Sequence, residues 1–345
     1  MAPLNAQSVA AVARLRAYRS PAFPLWNRLP LSRRAAVLIL LYADRHGDLR
    51  VVLTMRAASL RNYSGHAAFP GGKADTLDET PEQIARREAW EEIGLPLDGR
   101  GILPQQFRIE HLCSLPHNLA KTELVVRPCV ALLTAERDTA EAERTEDLQS
   151  EDARSIDVER LIPRLDAKEV AAVFSAPFHN FLLATDELEQ PEKDKVMAEA
   201  SGKTQRLRPR LPSGPWYEGV WVDWHETPWR MHYFYVPVVG QRVAKPKKRL
   251  RSSSAGKAAP AQQQEASSGD YDDIEEAPGR YKVWGMTARI LVDAAQLAYD
   301  ERPEFEHNAH FGDERILEGL EQMGRLGEKL RKELTNKDAK DASKM

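Results

Sequence analysis

The chain has 345 residues, 42% apolar and 29% charged, a composition that suits one large globular domain or two smaller ones. Its formal net charge of -3, from 49 basic and 52 acidic residues, excludes bulk electrostatic capture of nucleic acid or anionic lipid. Two cysteines, Cys113 and Cys129, are too few for a disulfide framework or a zinc cluster and read as buried reduced thiols.

No apolar run approaches the ~20 residues that cross a bilayer, and the N-terminus lacks a secretory pattern. An intracellular, reducing compartment is therefore expected. Residues 1–30 read as a lead-in, a short helix followed by extended chain. Ala35 to Tyr42 is a continuous apolar run, the pattern of a strand buried on both faces. A turn at His46-Gly47-Asp48 joins it to a second strand, Leu49–Thr54, as a hairpin. A Gly-rich passage from Gly65 to Gly72 leads to a helix with strong end signals. Thr80 is its N-cap, Pro81 fits the first turn, Gln83 completes a capping box, and Gly94 with Pro96 stops it. Leu124–Leu133 reads as a strand, with Pro128 suggesting an edge position or a bulge.

Two stretches read as insertions. Residues 135–157 are dense in acidic and basic side chains and predict a solvated loop or short exposed helix. Residues 241–279 run from a basic cluster (Lys245, Lys247, Lys248, Arg249, Arg251) to an acidic patch, a composition that predicts disorder. That basic cluster alternatively suits RNA or a targeting receptor, but no aromatic residues interleave for base stacking. Between the insertions, Trp216 to Val239 is aromatic-rich and predicts a hairpin in the core or lining a pocket. Tyr281–Gly285 reads as a strand end and Met286–Tyr299 as an apolar-faced helix. Residues 313–335 carry Ile316, Leu317, Leu320, Met323, Leu326, Leu330 and Leu334 at helical spacing, for packing or self-association.

The chemistry concentrates between Phe69 and Leu95. Glu88, Glu91 and Glu92 stand at i, i+3 and i+4, so three carboxylates share one helical face. Such like charges repel unless a cation compensates, and Mg²⁺ or Mn²⁺ favours hard oxygen donors shared with substrate phosphates. A Glu-rich helix is by itself more often a solvated face. Arg87 before the first Glu, Glu79 eight residues earlier, and the Gly71-Gly72 turn raise the metal reading above that one.

That string resembles the Nudix box, on Gly72, Glu79, Arg87, Glu88, Ala89, Glu91, Glu92, Gly94 and Leu95. The interval from Gly72 to Glu79 is one residue longer than in the general box, so the backbone ligand falls on Gly72 or Lys73. The upstream run Leu53, Thr54, Arg56, Ala57, Arg61, Gly65 and Phe69–Gly72 is similar to the signature of the coenzyme A diphosphatase branch, which shares the longer interval. Phe174–Phe178 and Val283–Thr287 resemble later segments of that branch, so the likeness spans roughly residues 33–300. Tyr63 and His66 depart from it.

The resemblance implies an α/β fold, a Nudix α/β/α sandwich around a mixed sheet, over residues 31–300, with a C-terminal helix and polar tail at 301–345. It implies hydrolysis of the diphosphate of CoA or acyl-CoA, with Glu88, Glu91, Glu92 and Gly72 holding Mg²⁺ or Mn²⁺ and Arg87 braced on Glu79. Arg56, Arg61 and Lys73 would meet the substrate, although each Arg also suits a surface ion pair. Glu169, before Val170 and an apolar helix, is the candidate general base. His111, His117 and His179 read as structural or surface residues. The alternatives are a hydrolase of ADP-ribose, NADH or oxidised nucleotides, and a silent Nudix binding module. Ser343-Lys344-Met345 approaches the Ser-Lys-Leu peroxisomal address. A peroxisomal import receptor is therefore the expected partner, with the cytoplasm as the other location. The oligomeric state is left open.

Overall fold

The computed structural model describes residues 3–59, 65–97, 107–135, 165–166, 168–186, 212–238, 243–244 and 279–328. The apolar run forms strand β1 (Arg34–Ala43), and its alternate side chains go to opposite cores. Ala36, Leu38, Leu40 and Tyr42 join one core, whereas Ile39 and Leu41 join the other. A strand buried on both faces belongs at the centre of a covered sheet. Here β1 pairs in parallel with β7 (Val125–Ala135) and antiparallel with β2 (Leu49–Arg56).

The fork between β1 and β2 creates the site. The two strands pair only at Leu41–Ala43 against Leu49–Val51 and then diverge. Residues 67–73 fill the gap as two short strands. β3 (Ala67–Ala68) pairs with β2, and β4 (Gly71–Lys73) pairs with the first half of β1. The far side of β7 takes β5 (Phe107–Ser114) and β6 (Asn118–Leu119). The far side of β2 takes β8 (Val170–Pro177), which completes a mixed eight-stranded sheet. Helix α3 (Pro81–Ile93) covers one face through Ile84, Ala85, Ala89 and Ile93, joined by the short α2 (Leu25–Arg28). The other face is covered by α1 (Ala6–Ala17) and α4 (Gly285–Tyr299). Packed with α4 is a second, antiparallel sheet of β9 (Tyr217–Trp224), β10 (Thr227–Pro237) and β11 (Arg280–Trp284), with β10 in the middle. The expected α/β sandwich is thus observed, with the aromatic-rich segment as the β9–β10 hairpin.

Three expectations need correction. Pro128 lies neither on an edge nor in a bulge of its own strand, because β7 runs between β1 and β5. Its carbonyl accepts from Leu115 N–H, so its missing donor faces the break between β5 and β6, where no ladder bond is lost. The segment after Glu169 is strand β8 and not a helix, since pairing with β2 overrides the helical leaning of its alanines. The C-terminal helix α5 spans only Glu314–Gln322, and Gly324, at φ +68, turns the chain before Leu326 packs. Leu330 and Leu334 lie outside the described residues, as do residues 136–157, nearly all of 241–279, and Ser343-Lys344-Met345.

Long polar side chains tie the C-terminal segment to the body. Arg289, 1% exposed, pairs with buried Asp313, donates to Gly312 O at 2.7 Å, and lies over the Trp229 ring. Asp313 also accepts from Leu119 N–H at 2.9 Å, which joins α5 to β6. Among the described residues no helix is long and apolar enough to cross a membrane.

Candidate active site

Local sequence fixes α3 at both ends. Thr80 Oγ1 accepts from Gln83 N–H at 3.2 Å, Gln83 Oε1 accepts from Thr80 N–H at 2.8 Å, and Gly94 caps the far end at φ +71. With its apolar stripe on the sheet, the helix presents Glu88 and Glu92 towards the β4 glycines. Glu92, 5% exposed, accepts from Gly71 N–H at 3.1 Å. A Cβ at Gly72 would meet the Glu88 carboxylate, so any larger residue there would displace that side chain from its place against the strand.

Arg87 organises the exposed flank. Its Nε donates to Glu79 at 2.8 Å and one Nη to the Lys73 carbonyl at 2.8 Å. The other Nη reaches Glu88 at 3.1 Å and Glu91 at 3.3 Å. Glu79 also receives the amide of Asp75 at 2.6 Å, closing the loop onto the helix. Burial would raise the Glu79 pKa, but Arg87 and the Asp75 and Thr76 amides outweigh it and hold the carboxyl below its ordinary value. Lys73 spends its carbonyl on Arg87, and its side chain is exposed.

The buried carboxylates behave differently. Burial, followed by smaller repulsions from Glu91 and Glu169, pushes Glu88 upward although Arg87 offsets part of this. Burial pushes Glu92 to about 8; Glu88 and Glu169 add to the rise, while the Gly71 amide and Arg56 oppose it. Glu169, exposed at the start of β8, therefore shares the electrostatic field of the helix carboxylates, and Arg56 shares it with opposite sign. The Arg56 Nε is buried without a hydrogen-bond partner. Arg61 and Tyr63 lie outside the described residues.

Among the described residues, no three His, Cys, Asp or Glu side chains stand close enough to enclose an ion. The charge arrangement nevertheless fits a divalent cation. An Arg87 nitrogen lies between Glu88 and Glu91, and Glu92 holds a proton to well above the usual carboxylate range. Both are ways to neutralise crowded hard-oxygen donors, which is the charge a divalent ion supplies.

The three histidines stand apart from this cluster. His117 is buried against Phe23 and Trp26 and bonds Glu314 at 2.9 Å. His179 bonds Glu301 at 2.8 Å, and His111 lies 3.9 Å from Glu82. Cys113 and Cys129 are free and buried, as expected. Sequence reasoning missed the Gly71 amide as a partner of Glu92, because nothing local says which strand the turn joins.

Residues 32–178 match the NUDIX domain model. Among curated proteins, the chain is 29% identical to "Peroxisomal coenzyme A diphosphatase 1, peroxisomal" of Saccharomyces cerevisiae, over 86% of this chain and 77% of that one. It is 28% identical to "Nudix hydrolase 15, mitochondrial" of Arabidopsis thaliana, over 79% of this chain but only 61% of the plant protein. It is 36% identical to "Peroxisomal coenzyme A diphosphatase ndx-8" of Caenorhabditis elegans, over 29% of this chain and 39% of that one.

Proposed function

We propose that this chain, whose residues 32–178 match the NUDIX domain model, is a Nudix hydrolase that splits the diphosphate of CoA or an acyl-CoA. The products are adenosine 3′,5′-bisphosphate and (acyl-)4′-phosphopantetheine. The observation that carries the reading is that Glu88, Glu91 and Glu92 project from one helix beside the Gly71-Gly72 turn, with Arg87 bonded to Glu88 and Glu91 and the Gly71 N–H bonded to Glu92. The names of the yeast and worm relatives support CoA as substrate and the peroxisome as location.

Glu88, Glu91, Glu92 and the Gly72 carbonyl would hold Mg²⁺ or Mn²⁺. When bound, the ion lowers the pKa of a water and offsets charge developing on the phosphates. Gly72 is preferred over Lys73 as the backbone donor, because Arg87 already occupies the Lys73 carbonyl. Arg87 and Glu79 are positioning residues that fix the loop to the helix. Arg56, with its unpartnered Nε beside Glu92, binds a substrate phosphate oxygen, joined by Arg61 and by the exposed ammonium of Lys73. Glu169 accepts the proton of the attacking water, since its carboxylate is exposed and shares the field of Glu88 and Glu92. Water adds to one phosphorus, and the bridging oxygen leaves with the other phosphate.

Product analysis with CoA, acetyl-CoA, NADH, ADP-ribose and 8-oxo-dGTP under Mg²⁺ and under Mn²⁺ tests this reading. Adenosine 3′,5′-bisphosphate from CoA is the expected product. Preference for ADP-ribose or NADH would remove the CoA assignment, and no turnover of any diphosphate would leave a binding module.

A further inference from the structure

On one face of the second sheet Trp229, Tyr235 and Arg280 are buried, but the stretch between Trp229 and Tyr235 is not fully covered. Phe234, Val236 and Val283 point into the core beside α4. The alternate residues Met231 and Tyr233 on β10, and Lys282 and Trp284 on β11, are only half-buried and face the other way. Tyr233 and Trp284 are cross-strand partners whose rings are near-parallel, 13° apart with centroids at 6.0 Å. The Lys282 ammonium lies over both rings, 4.8 Å and 5.4 Å from their centroids. Two near-parallel rings with a cation over them offer a chemistry that stacks a nucleobase and pairs with a phosphate.

Two contacts connect this ledge to the carboxylate cluster. The His66 ring meets Trp284 edge-on at 5.0 Å, and the His66 carbonyl accepts from Arg56 N–H at 3.0 Å. Arg56 is the residue whose charge acts on Glu92. A molecule with its phosphates at Arg56 therefore has the ledge one residue away, past His66. Nearby Glu218 already accepts the Tyr235 hydroxyl at 3.1 Å.

The geometry points to the Tyr233–Trp284–Lys282 ledge as the seat of the substrate's purine base and its ribose phosphate. This rests on the diphosphatase reading above and sharpens it. A purine stacks on the two rings, whereas an acyl-pantetheine arm gains little from a ledge with a cation over it. Lys282 leaves the ring faces to meet the 3′-phosphate. ADP-ribose and NADH lack that phosphate, so Lys282 is the residue that selects CoA over them.

Calorimetric binding of adenosine 3′,5′-bisphosphate, AMP and 4′-phosphopantetheine to the whole chain in EDTA tests the ledge. Wild type would be compared with Tyr233→Ala, Tyr233→Phe, Lys282→Ala and Lys282→Arg. Tyr233→Ala is expected to weaken adenosine 3′,5′-bisphosphate and AMP alike by about tenfold, with Tyr233→Phe restoring both. Lys282→Ala should weaken only adenosine 3′,5′-bisphosphate, also about tenfold, and Lys282→Arg should restore it. A circular-dichroism melt separates misfolding from lost contact, and Lys282→Ala leaves the aromatic pair in place. No binding by wild type, equal affinity across the variants, or a loss confined to 4′-phosphopantetheine overturns the proposal. If these sensitivities appear but CoA is not turned over, the ledge stands and the diphosphatase reading falls. If both alanine variants turn over CoA with wild-type KM, the ledge falls and the diphosphatase reading stands.

Discussion

Replacing Glu92 with glutamine isolates the electrostatic strain in the carboxylate cluster. In the metal-free protein, burial raises this carboxyl from an ordinary 4.5 to about 8. Between those values the folded state keeps a proton that the unfolded chain has released. The stabilisation is fully present below pH 4.5 and is lost as pH rises towards and through 8. The linkage slope approaches ~1.4 kcal/mol per pH unit within that window. Between pH 5 and 7 the wild type should therefore lose roughly 2–3 kcal/mol through this one group. The amide of the Glu92→Gln variant cannot titrate, yet its oxygen can still accept the Gly71 N–H. Urea unfolding in EDTA across that range should show Glu92→Gln gaining on wild type by about this amount. Adding Mg²⁺ at pH 7 should then stabilise wild type more than the variant, because the ionised carboxylate is a ligand and the amide a poor one. Parallel stability profiles for the two proteins in EDTA would refute the account.

Glu91 is the more exposed ligand candidate, so Glu91→Gln should melt like wild type and lose at least about a hundredfold in kcat for CoA under Mg²⁺; a shared loss of Tm would make its role structural. Arg289→Met strands the buried Asp313 carboxylate and should cost about 3–5 kcal/mol in urea unfolding, while a cost below about 1 kcal/mol would show that Asp313 finds another partner. Cys113 and Cys129 have their thiols raised to about 12 by burial, so neither should react with a thiol reagent at pH 8 until the protein unfolds. Stoichiometric labelling of the native chain would contradict that burial.

What the sequence made legible was local. The limits of α3 follow from Thr80, Pro81, Gln83 and Gly94, whose signals act within one turn. The double-sided burial of β1 follows from an uninterrupted apolar run. The misreadings share a non-local cause. Val170–Pro177 carries alanines that suit a helix, and only its register against β2 makes it a strand. Pro128 sits in a central strand because the neighbouring strand is broken opposite it, which no window around Pro128 reveals. In the site, the three helix glutamates were evident from spacing. Their unequal environments were not, because the fork that buries Glu92 against Gly71 is assembled from three strands.

That fork also limits where evolution or an engineer can change chain length. Residues 67–73 are in register with β2 at one end and β1 at the other, so an inserted residue there would slip the glycines past Glu88 and Glu92. The stretch just beyond is different. Arg87 holds both its margins, the Lys73 carbonyl and the Glu79 carboxylate, and between them residues 75–78 are exposed, with the Leu77 carbonyl resting on Arg34. The longer interval from Gly72 to Glu79 that the resemblance implies contains this clamped stretch. Loop length can therefore vary next to the helix glutamates without moving them, so grafted loops at 75–78 can probe substrate choice while the carboxylate geometry stays constant.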